Sequence, residues 1–231
     1  MQETARSAVD PLWEEEIYGR EQQLNRYPFD FVVTFVHRFR DRTKTPEETS
    51  ILEVGCGAGN NLWFAAREGF RVAGLDGSPS AIGHAAARFR ADGLSGEFCV
   101  GDFTSLPYPD ATFDLVIDRG SLTNCGFSAA GRAVAEIQRV LRPGGRFLFN
   151  PYSRAHTSHL TGTPGPDELT VRITGGVLRQ YRQICFYDEA MVRRQLGAGW
   201  KLLSLRHLEL REHLDDEPDV HAEWRVVAEK A

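Results

Sequence analysis

The chain has 231 residues, of which 42% are hydrophobic and 26% are charged, and its formal net charge is −5. This composition can bury a full core and excludes an intrinsically disordered chain, while the acidic balance argues against a broad phosphate-binding face. No stretch approaches the roughly 18 consecutive apolar residues of a membrane span, and no basic flank precedes an apolar run at the N-terminus, so we expect a cytoplasmic protein that binds no membrane.

Strand and helix patterns alternate along the first half of the chain. After a polar start, apolar residues at helical spacing over 32–39 predict a helix. A short apolar run at 51–54 ends in glycines, and the following segment predicts a helix closed by Gly69. The unit then recurs, with a strand at 71–76, a helix from Ser78 to Phe89 and a strand at 96–102.

The second half continues the alternation and brings the number of predicted strands to seven. The nearly continuous apolar run at 113–118 is typical of a strand covered on both faces of a parallel sheet. The pattern next predicts a helix near 129–141 and a turn with a fifth strand at 143–150. A helix follows Asp188, its expected N-cap, and stops at Gly197. Two closing strands are predicted at 201–210 and 223–230.

Two intervals do not follow this alternation of strands and helices, and we predict that both cover a ligand. Residues 1–27 precede the first helix, and residues 151–184 separate the fifth strand from the next helix. Ligands of an open parallel sheet bind outside the carboxyl ends of its strands, where the second interval begins. We therefore predict a single domain over 1–231, with an N-terminal cap at 1–27 and a substrate-side insertion at 151–184.

A glycine turn separates the first strand from its helix. Gly55, Gly57 and Gly59 let the backbone approach a ligand, and the helix N-terminus favours a polar or anionic group. The spacing differs from the dinucleotide fingerprint, which needs glycine at Asn60, and no P-loop ending follows. Asp76, 21 positions after Gly55, can accept both hydroxyls of a ribose. An adenosine-like ligand is indicated, although such a turn can also serve only to pack a helix on a sheet.

With GDFTSLPYPDATFDLVID following at 101–118, the chain resembles the class I S-adenosylmethionine-dependent methyltransferases from about residue 28 onward. The resemblance implies an α/β fold with a Rossmann-like, seven-stranded, mostly parallel sheet, helices on both faces, and the last strand antiparallel beside the fifth. It also implies S-adenosyl-L-methionine as cofactor, with S-adenosyl-L-homocysteine as product. The cofactor-binding residues then include Glu53, Gly55, Cys56, Gly57, Gly59, Asn60, Asp76, Gly77, Asp102, Phe103 and Asp118.

Within that family the matched residues have distinct tasks. The resemblance implies that the glycine turn packs against the amino-acid part of the cofactor and that Asp76 binds its ribose. Asp102 would contact the adenine amino group and Phe103 would pack on the ring. Asp118, at the end of the fourth strand, would lie beside the sulfonium.

Methyl transfer is an in-line displacement, so the protein mainly positions the reactants and excludes water, and no covalent nucleophile is needed. A base is required only for some acceptors, such as a hydroxyl. We predict catalytic roles for Asp118, Arg119 and His156. Further cofactor contacts are predicted for Tyr18, whose ring can cover a sulfonium, and for Arg26, which can pair with the cofactor carboxylate. Substrate contacts are predicted for Trp13, Tyr27, Asn124, Tyr152, Arg154 and His159.

A small-molecule acceptor, a sugar or another secondary metabolite methylated on oxygen or nitrogen, is the leading interpretation. The acidic charge and the DRGS that follows the fourth strand argue against nucleic acid, and the NPYS at 150–153 follows the wrong strand for a nucleic-acid amino-methylation motif. The four cysteines are widely spaced and have no partner histidine, so no metal is expected. An enzyme acting on RNA or protein and a noncatalytic cofactor-binding scaffold remain alternatives, and a monomer or homodimer is expected.

Overall fold

The computed structural model describes residues 9–214 and 219–231. Its main sheet is built from β1 (Ser50–Val54), β2 (Arg71–Asp76), β3 (Glu97–Val100), β4 (Phe113–Asp118), β5 (Leu141–Phe149), β9 (Trp200–Arg211) and β10 (Val220–Lys230). The intervening β6 (Thr163–Pro164), β7 (Leu169–Val171) and β8 (Gln183–Cys185) form a separate antiparallel sheet.

The main sheet has the strand order β3-β2-β1-β4-β5-β10-β9. The first five strands in this order run parallel, whereas β10 is antiparallel to both β5 and β9. This confirms the expected seven-stranded, Rossmann-like sheet with its last strand antiparallel beside the fifth. The chain moves from β1 outward to β3 and then returns to the other side of β1, so a crevice forms between β1 and β4, the place where such sheets bind ligands.

Helices cover both faces of the sheet, as predicted. One face carries α1 (Asp30–Phe39), α2 (Asn60–Arg67) and α3 (Pro79–Ala91), and the other carries α4 (Phe127–Val140) and α6 (Glu189–Gln195). Successive strand residues point to opposite faces, so Ile51 packs with the first group and Leu52 with the second. Because both faces are buried, the central strands contain nearly continuous apolar runs.

Side-chain caps define two of the helix starts. The Ser78 hydroxyl accepts from Ala81 N at 3.0 Å, and Pro79 occupies the first turn of α3. Asp188 caps α6 by accepting from Met191 N at 2.8 Å, as predicted. The end of α6 differs slightly from the prediction, because the helix stops at Gln195, before Gly197.

The start of β5 is earlier than predicted. Pairing with β4 begins at Leu141 and then jumps from Phe113↔Leu141 to Leu115↔Arg146. Between these two pairs β4 advances by two residues and β5 by five. The Pro-Gly-Gly segment of β5 therefore bulges out of the sheet, with Gly144 at φ +72°. A sequence that was expected to form a turn before the strand is instead an irregularity inside it.

The two irregular intervals pack against each other. The N-terminal segment forms short helical turns at Trp13–Ile17 and Tyr18–Arg20, and the interval at 151–184 contains α5 (Thr157–Leu160) and the small sheet. One apolar cluster joins both intervals to the glycine turn and to α3; it comprises Leu12, Ile17, Tyr18, Ala58, Ala81, Ile173, Leu178, Tyr181, Ile184 and Phe186. Together they cover the carboxyl edge of the central strands.

Candidate functional site

A cleft of about 980 Å³, measured out to its open mouth, lies at the carboxyl ends of β1, β2 and β4. The structure brings many of the predicted residues together in its walls: Trp13, Tyr18, Glu53, Gly55, Cys56, Gly57, Asn60, Asp76, Gly77, Phe103, Arg119, Asn124 and Tyr152.

The glycine turn forms the floor of the cleft. Gly55 and Gly57 have φ of +65° and +52°, a region that side chains with a Cβ rarely adopt. Space is also short, because a Cβ on Gly55 would lie 2.2 Å from Ser121 Cβ, and one on Gly57 would lie 2.2 Å from the Tyr18 hydroxyl. Gly59 differs, since it packs against Ala85 of α3 and does not line the cleft. Its place in the structure is that of a helix-packing glycine.

Asp76 connects β2 to the turn. One carboxylate oxygen accepts from Gly57 N at 2.8 Å and the other accepts from Ser78 N at 2.9 Å. Burial raises the pKa of this carboxyl, against the effect of both backbone bonds. Each oxygen has a second lone pair, so the side chain can still accept hydrogen bonds from a ligand in the cleft.

Glu53 is fully buried in the cleft wall. Asn61 donates to its Oε1 at 2.6 Å, whereas Oε2 has no hydrogen-bond partner among the described residues. Burial raises the pKa of Glu53 to about 8. An oxygen left without a partner in this position fits a donor or cation supplied by a ligand, because buried polar atoms are normally hydrogen-bonded.

Asp118, predicted to act in catalysis beside the sulfonium, does not line the cleft. Its Oδ1 accepts from the amide and hydroxyl of Ser121 and from Leu122 N. These bonds shape the turn after β4, and the geometry therefore supports a positioning role and no direct contact with reactants. The turn places Arg119, Gly120 and Ser121 in the cleft wall.

Asp102 also lies outside the cleft lining. Its Oδ1 accepts from the amide and hydroxyl of Thr104, at 2.8 and 2.7 Å, and so shapes the loop that follows β3. Phe103, the next residue, is buried and does line the cleft. Of the two predicted adenine contacts, only Phe103 is placed for one in this structure.

The site residues predicted in the insertion make contacts within the insertion and with α6. His156 is only 1% exposed, accepts from Ser158 N through Nδ1, and has its pKa lowered to about 4 by burial. His159 bonds to Thr170, and Arg154 pairs with Glu168 and Asp188. None of the three lines the cleft, so the geometry does not support a general base at His156 or substrate contacts at the other two.

Aromatic rings cover the N-terminal side of the cleft. Trp13 stacks between Tyr18 and Tyr181, with ring centroids 5.9 and 5.2 Å away. Tyr27 is 69% exposed and carries Arg26 against its own ring, and neither residue lines the cleft. The structure therefore does not support Arg26 as the partner of the cofactor carboxylate or Tyr27 as a substrate contact.

Glu14, which sequence reasoning missed, docks the N-terminal segment on α3. Its Oε2 accepts from Ser80 N at 3.1 Å and from the Ser78 hydroxyl, and its Oε1 accepts from the Ser80 hydroxyl at 2.7 Å. These hydrogen bonds, the Ser78 bond foremost, lower the pKa of Glu14. Val9 completes the contact by lying against Gly77, where a Cβ would come within 2.3 Å of its side chain.

Other cleft residues were also missed. Several neighbour predicted ones in sequence, and extending each predicted segment by one or two residues would have found Asn61, Gly120 and Ser121. Phe29 and Tyr181 carry no signal in a single sequence. The remaining lining residues are Val9, Asp10, Gln23, Asn25 and Ile184.

Over 9–214 and 219–231, no three His, Cys, Asp or Glu side chains gather in a way that could hold a metal ion. No helix in those ranges has the length and apolar character that crossing a membrane requires.

Comparisons with known proteins agree with the observed fold. A family model described as "Methyltransferase domain" matches residues 51–145, which contain the glycine turn, Asp76 and Asp118. A norajmaline N-methyltransferase from Rauvolfia serpentina is 30% identical over 165 residues, covering 70% of this chain and 55% of the relative. A fatty-acid O-methyltransferase from Mycolicibacterium smegmatis is 40% identical over 134 residues, covering 57% of this chain and 45% of the relative. This chain thus spans about half the length of these curated relatives.

The solved structures extend the agreement in fold to nearly the whole chain. A S-adenosylmethionine-dependent methyltransferase from Methanosarcina mazei superposes with a TM-score of 0.70 at 20% identity, covering 88% of this chain and 98% of that one. At this identity the likeness shows the fold alone. With the matching family model and the curated relatives, it establishes that the chain belongs to the S-adenosylmethionine-dependent methyltransferase superfamily.

Proposed function

We propose that the protein transfers a methyl group from S-adenosyl-L-methionine to a small-molecule acceptor. The observation that carries this proposal is the composition of the cleft, which combines the glycine turn, Glu53 and Asp76 with several aromatic residues. The two curated relatives described above are named for N-methylation of an alkaloid and O-methylation of fatty acids. The superfamily uses S-adenosylmethionine, which supplies an electrophilic methyl group on a sulfonium.

The residues of the cleft fit this cofactor. Both Asp76 and Phe103 line the cleft, where Asp76 can accept from ribose hydroxyls and the Phe103 ring can pack against a base. Glu53 offers an oxygen without a partner to the positively charged amino-acid part. Trp13 and Tyr18 shield the same space from water, which strengthens electrostatic interactions there.

The described lining contains no histidine or lysine, its carboxylates Glu53 and Asp76 fit the cofactor, and Asp10 accepts a hydrogen bond from Leu12 N. An acceptor that is already an anion or a neutral amine attacks without one, whereas a hydroxyl generally needs its proton removed. The chemistry supported best is therefore positioning and desolvation of an acceptor that is nucleophilic at neutral pH.

Cofactor binding is expected to strengthen as the pH rises toward 8. The raised pKa of Glu53 means that its carboxyl is protonated below about pH 8, and a bound cation favours the ionised form, so binding releases a proton. Affinity should increase by up to about tenfold per pH unit between pH 6.5 and 8 and then level off. Calorimetric titration in buffers of different ionisation enthalpy measures the released proton. Glu53→Gln should remove both effects, and an unchanged pH dependence in that variant would contradict the assignment.

We also propose that the N-terminal cap and the insertion close over the bound cofactor, with 1–8 of the cap lying outside the described residues. Glu14→Ala removes three hydrogen bonds to Ser78 and Ser80, and we expect S-adenosylmethionine to bind about tenfold more weakly and dissociate faster. Stopped-flow Trp fluorescence provides the dissociation rate. Glu16→Ala is the matched control, since Glu16 pairs only with exposed Arg20 among the described contacts. Equal rates for both variants would argue against the closing role.

The proposed activity is tested with a methyl-deuterated donor. The purified protein is incubated with labelled S-adenosylmethionine and, separately, with metabolite extract, bulk RNA and protein from the source cells, and the products are identified by mass spectrometry. We expect label in a metabolite. Label in RNA or protein alone would favour a macromolecular substrate, and cofactor binding without transfer to any fraction would favour a noncatalytic scaffold.

A further inference from the structure

We propose that the acceptor is a carboxylic acid with an apolar or aromatic body, and that Arg119 binds its carboxylate. This inference rests on the proposed function and names the substrate class of the same cleft. Three observations support it: the contacts that Arg119 makes, its position in the strand order, and the apolar side chains that line the cleft beside it.

Arg119 is held in place with part of its charge still available. Its guanidinium stacks on the Phe29 ring, with Cζ 3.9 Å from the centroid, and Nη1 donates to the Tyr152 hydroxyl at 3.3 Å. Its Nε is buried and has no hydrogen-bond partner among the described residues. A planar guanidinium that is fixed on one face, with an unused N–H on its edge, is suited to a carboxylate, which it can bind through two parallel hydrogen bonds.

No ion pair neutralises this guanidinium among the described residues. Glu223 and Asp118 are close enough to act on Arg119 electrostatically, but neither forms a salt bridge with it. Glu223 bonds to Arg225 and His221, and Asp118 bonds to Ser121. Arg119 is also the one cationic side chain in the described lining. A partly buried cation without a direct counterion is stabilised by an anionic ligand.

The strand order places Arg119 toward the acceptor. The groups that fit the cofactor belong to β1, β2 and the loop after β3, whereas Arg119 follows β4 and reaches toward Tyr152, which follows β5. Tyr152, which accepts a hydrogen bond from Arg119, therefore lies on the opposite side of the crevice from Asp76. A carboxylate bound by Arg119 would stand on the far side of the crevice from the ribose site.

The remaining walls on this side suit an apolar body. Trp13 stacks on Tyr181, and Phe29 lies beneath the guanidinium. Tyr152 and Ile184 also line the cleft here. Two polar side chains here already have partners within the protein, since Gln23 donates to the Tyr181 hydroxyl and Asn124 donates through its amide nitrogen to the carbonyl oxygens of Gly120 and Ser121. Such a surface favours a flat or aliphatic acceptor over a sugar, which would need many hydrogen bonds.

The test compares carboxylic acids with their uncharged amides. Binding of S-adenosylhomocysteine is measured first, and the saturated protein is then titrated with octanoate, benzoate and 4-hydroxycinnamate, each beside its primary amide, with Trp fluorescence as the signal. In the wild type we expect at least one acid to bind about tenfold or more tightly than its amide. Arg119→Gln should abolish that preference while changing S-adenosylhomocysteine affinity by less than about threefold.

Two further variants make the result interpretable. Arg132→Gln removes the same charge from an exposed site on α4 and should keep the acid preference. Arg119→Lys keeps the positive charge but loses the paired N–H donors of the guanidinium, so the preference for the acid should persist at reduced strength. This variant tests the inference even if Arg119→Gln fails to fold.

Each alternative outcome has a distinct meaning. If wild-type protein binds every amide as tightly as its acid, the inference is wrong. If Arg119→Gln or Arg119→Lys weakens S-adenosylhomocysteine binding tenfold and leaves the acid preference intact, Arg119 serves the cofactor carboxylate, and the inference is again wrong. If wild-type protein binds no S-adenosylhomocysteine, the proposed function itself fails.

Discussion

Gly55→Ala is expected to destabilise the protein by about 2–5 kcal/mol and to abolish cofactor binding. The first cause is backbone strain, because Gly55 has φ +65°. The second is a clash, since the new Cβ would lie 2.2 Å from Ser121 Cβ and 2.6 Å from its hydroxyl. Ser121 cannot move away freely, because its hydroxyl lies within hydrogen-bond distance of two acceptors, Val54 O at 2.7 Å and Asp118 Oδ1 at 2.5 Å. Relief of the clash would therefore distort the floor of the cleft.

Gly93→Ala separates these two causes. Gly93 also has φ +65°, but a Cβ there would meet no atom within 4 Å. This variant should lose only about 1–2 kcal/mol and should bind S-adenosylhomocysteine normally. Urea unfolding provides the free energies, and calorimetric titration provides the affinities. If the two alanine variants lose equal stability, the close contact with Ser121 has no energetic importance.

Asp76→Asn is expected to weaken cofactor binding by about 100-fold and leave the fold intact. The carboxylate accepts from Gly57 N and Ser78 N with different oxygens, and an amide can keep only one of these bonds. The charge that would strengthen hydrogen bonds from ribose hydroxyls is also lost, and a hydrogen bond to a charged group contributes about 1.5–3 kcal/mol. The weakening of two such hydrogen bonds to the ribose accounts for the expected loss of affinity of about 100-fold.

The measurement is a titration of each variant with S-adenosylhomocysteine, combined with thermal unfolding to show that the protein remains folded. Asp110→Asn is the charge-matched control, because Asp110 is exposed and pairs with Arg139. Its affinity should equal that of the wild type. An Asp76→Asn variant that keeps full affinity would remove Asp76 from the cofactor site.

Some features of this fold can be predicted from a single sequence, and others cannot. Strands such as β4 and turns such as Gly55–Gly59 are specified by contiguous residues, because periodicity and positive φ are local requirements. The pairing of β10 with β5 was accessible only through the family resemblance, since partners more than 70 residues apart leave no local pattern. The bulge in β5 was missed because Pro-Gly-Gly has the composition of an ordinary turn.

The sequence by itself determined the fold class, the glycine turn and Asp76, since each of these depends on residue spacing along one strand-turn-helix unit. Only the tertiary structure decided which loop side chains face the cleft. His156 has the residue type of a general base, but it is buried among Tyr152, Phe186 and His221 with its pKa lowered. Tyr181 and Phe29 looked unremarkable and yet line the site. Burial, pKa and orientation depend on neighbours that are distant in sequence, and for this reason they emerge only when the chain is folded.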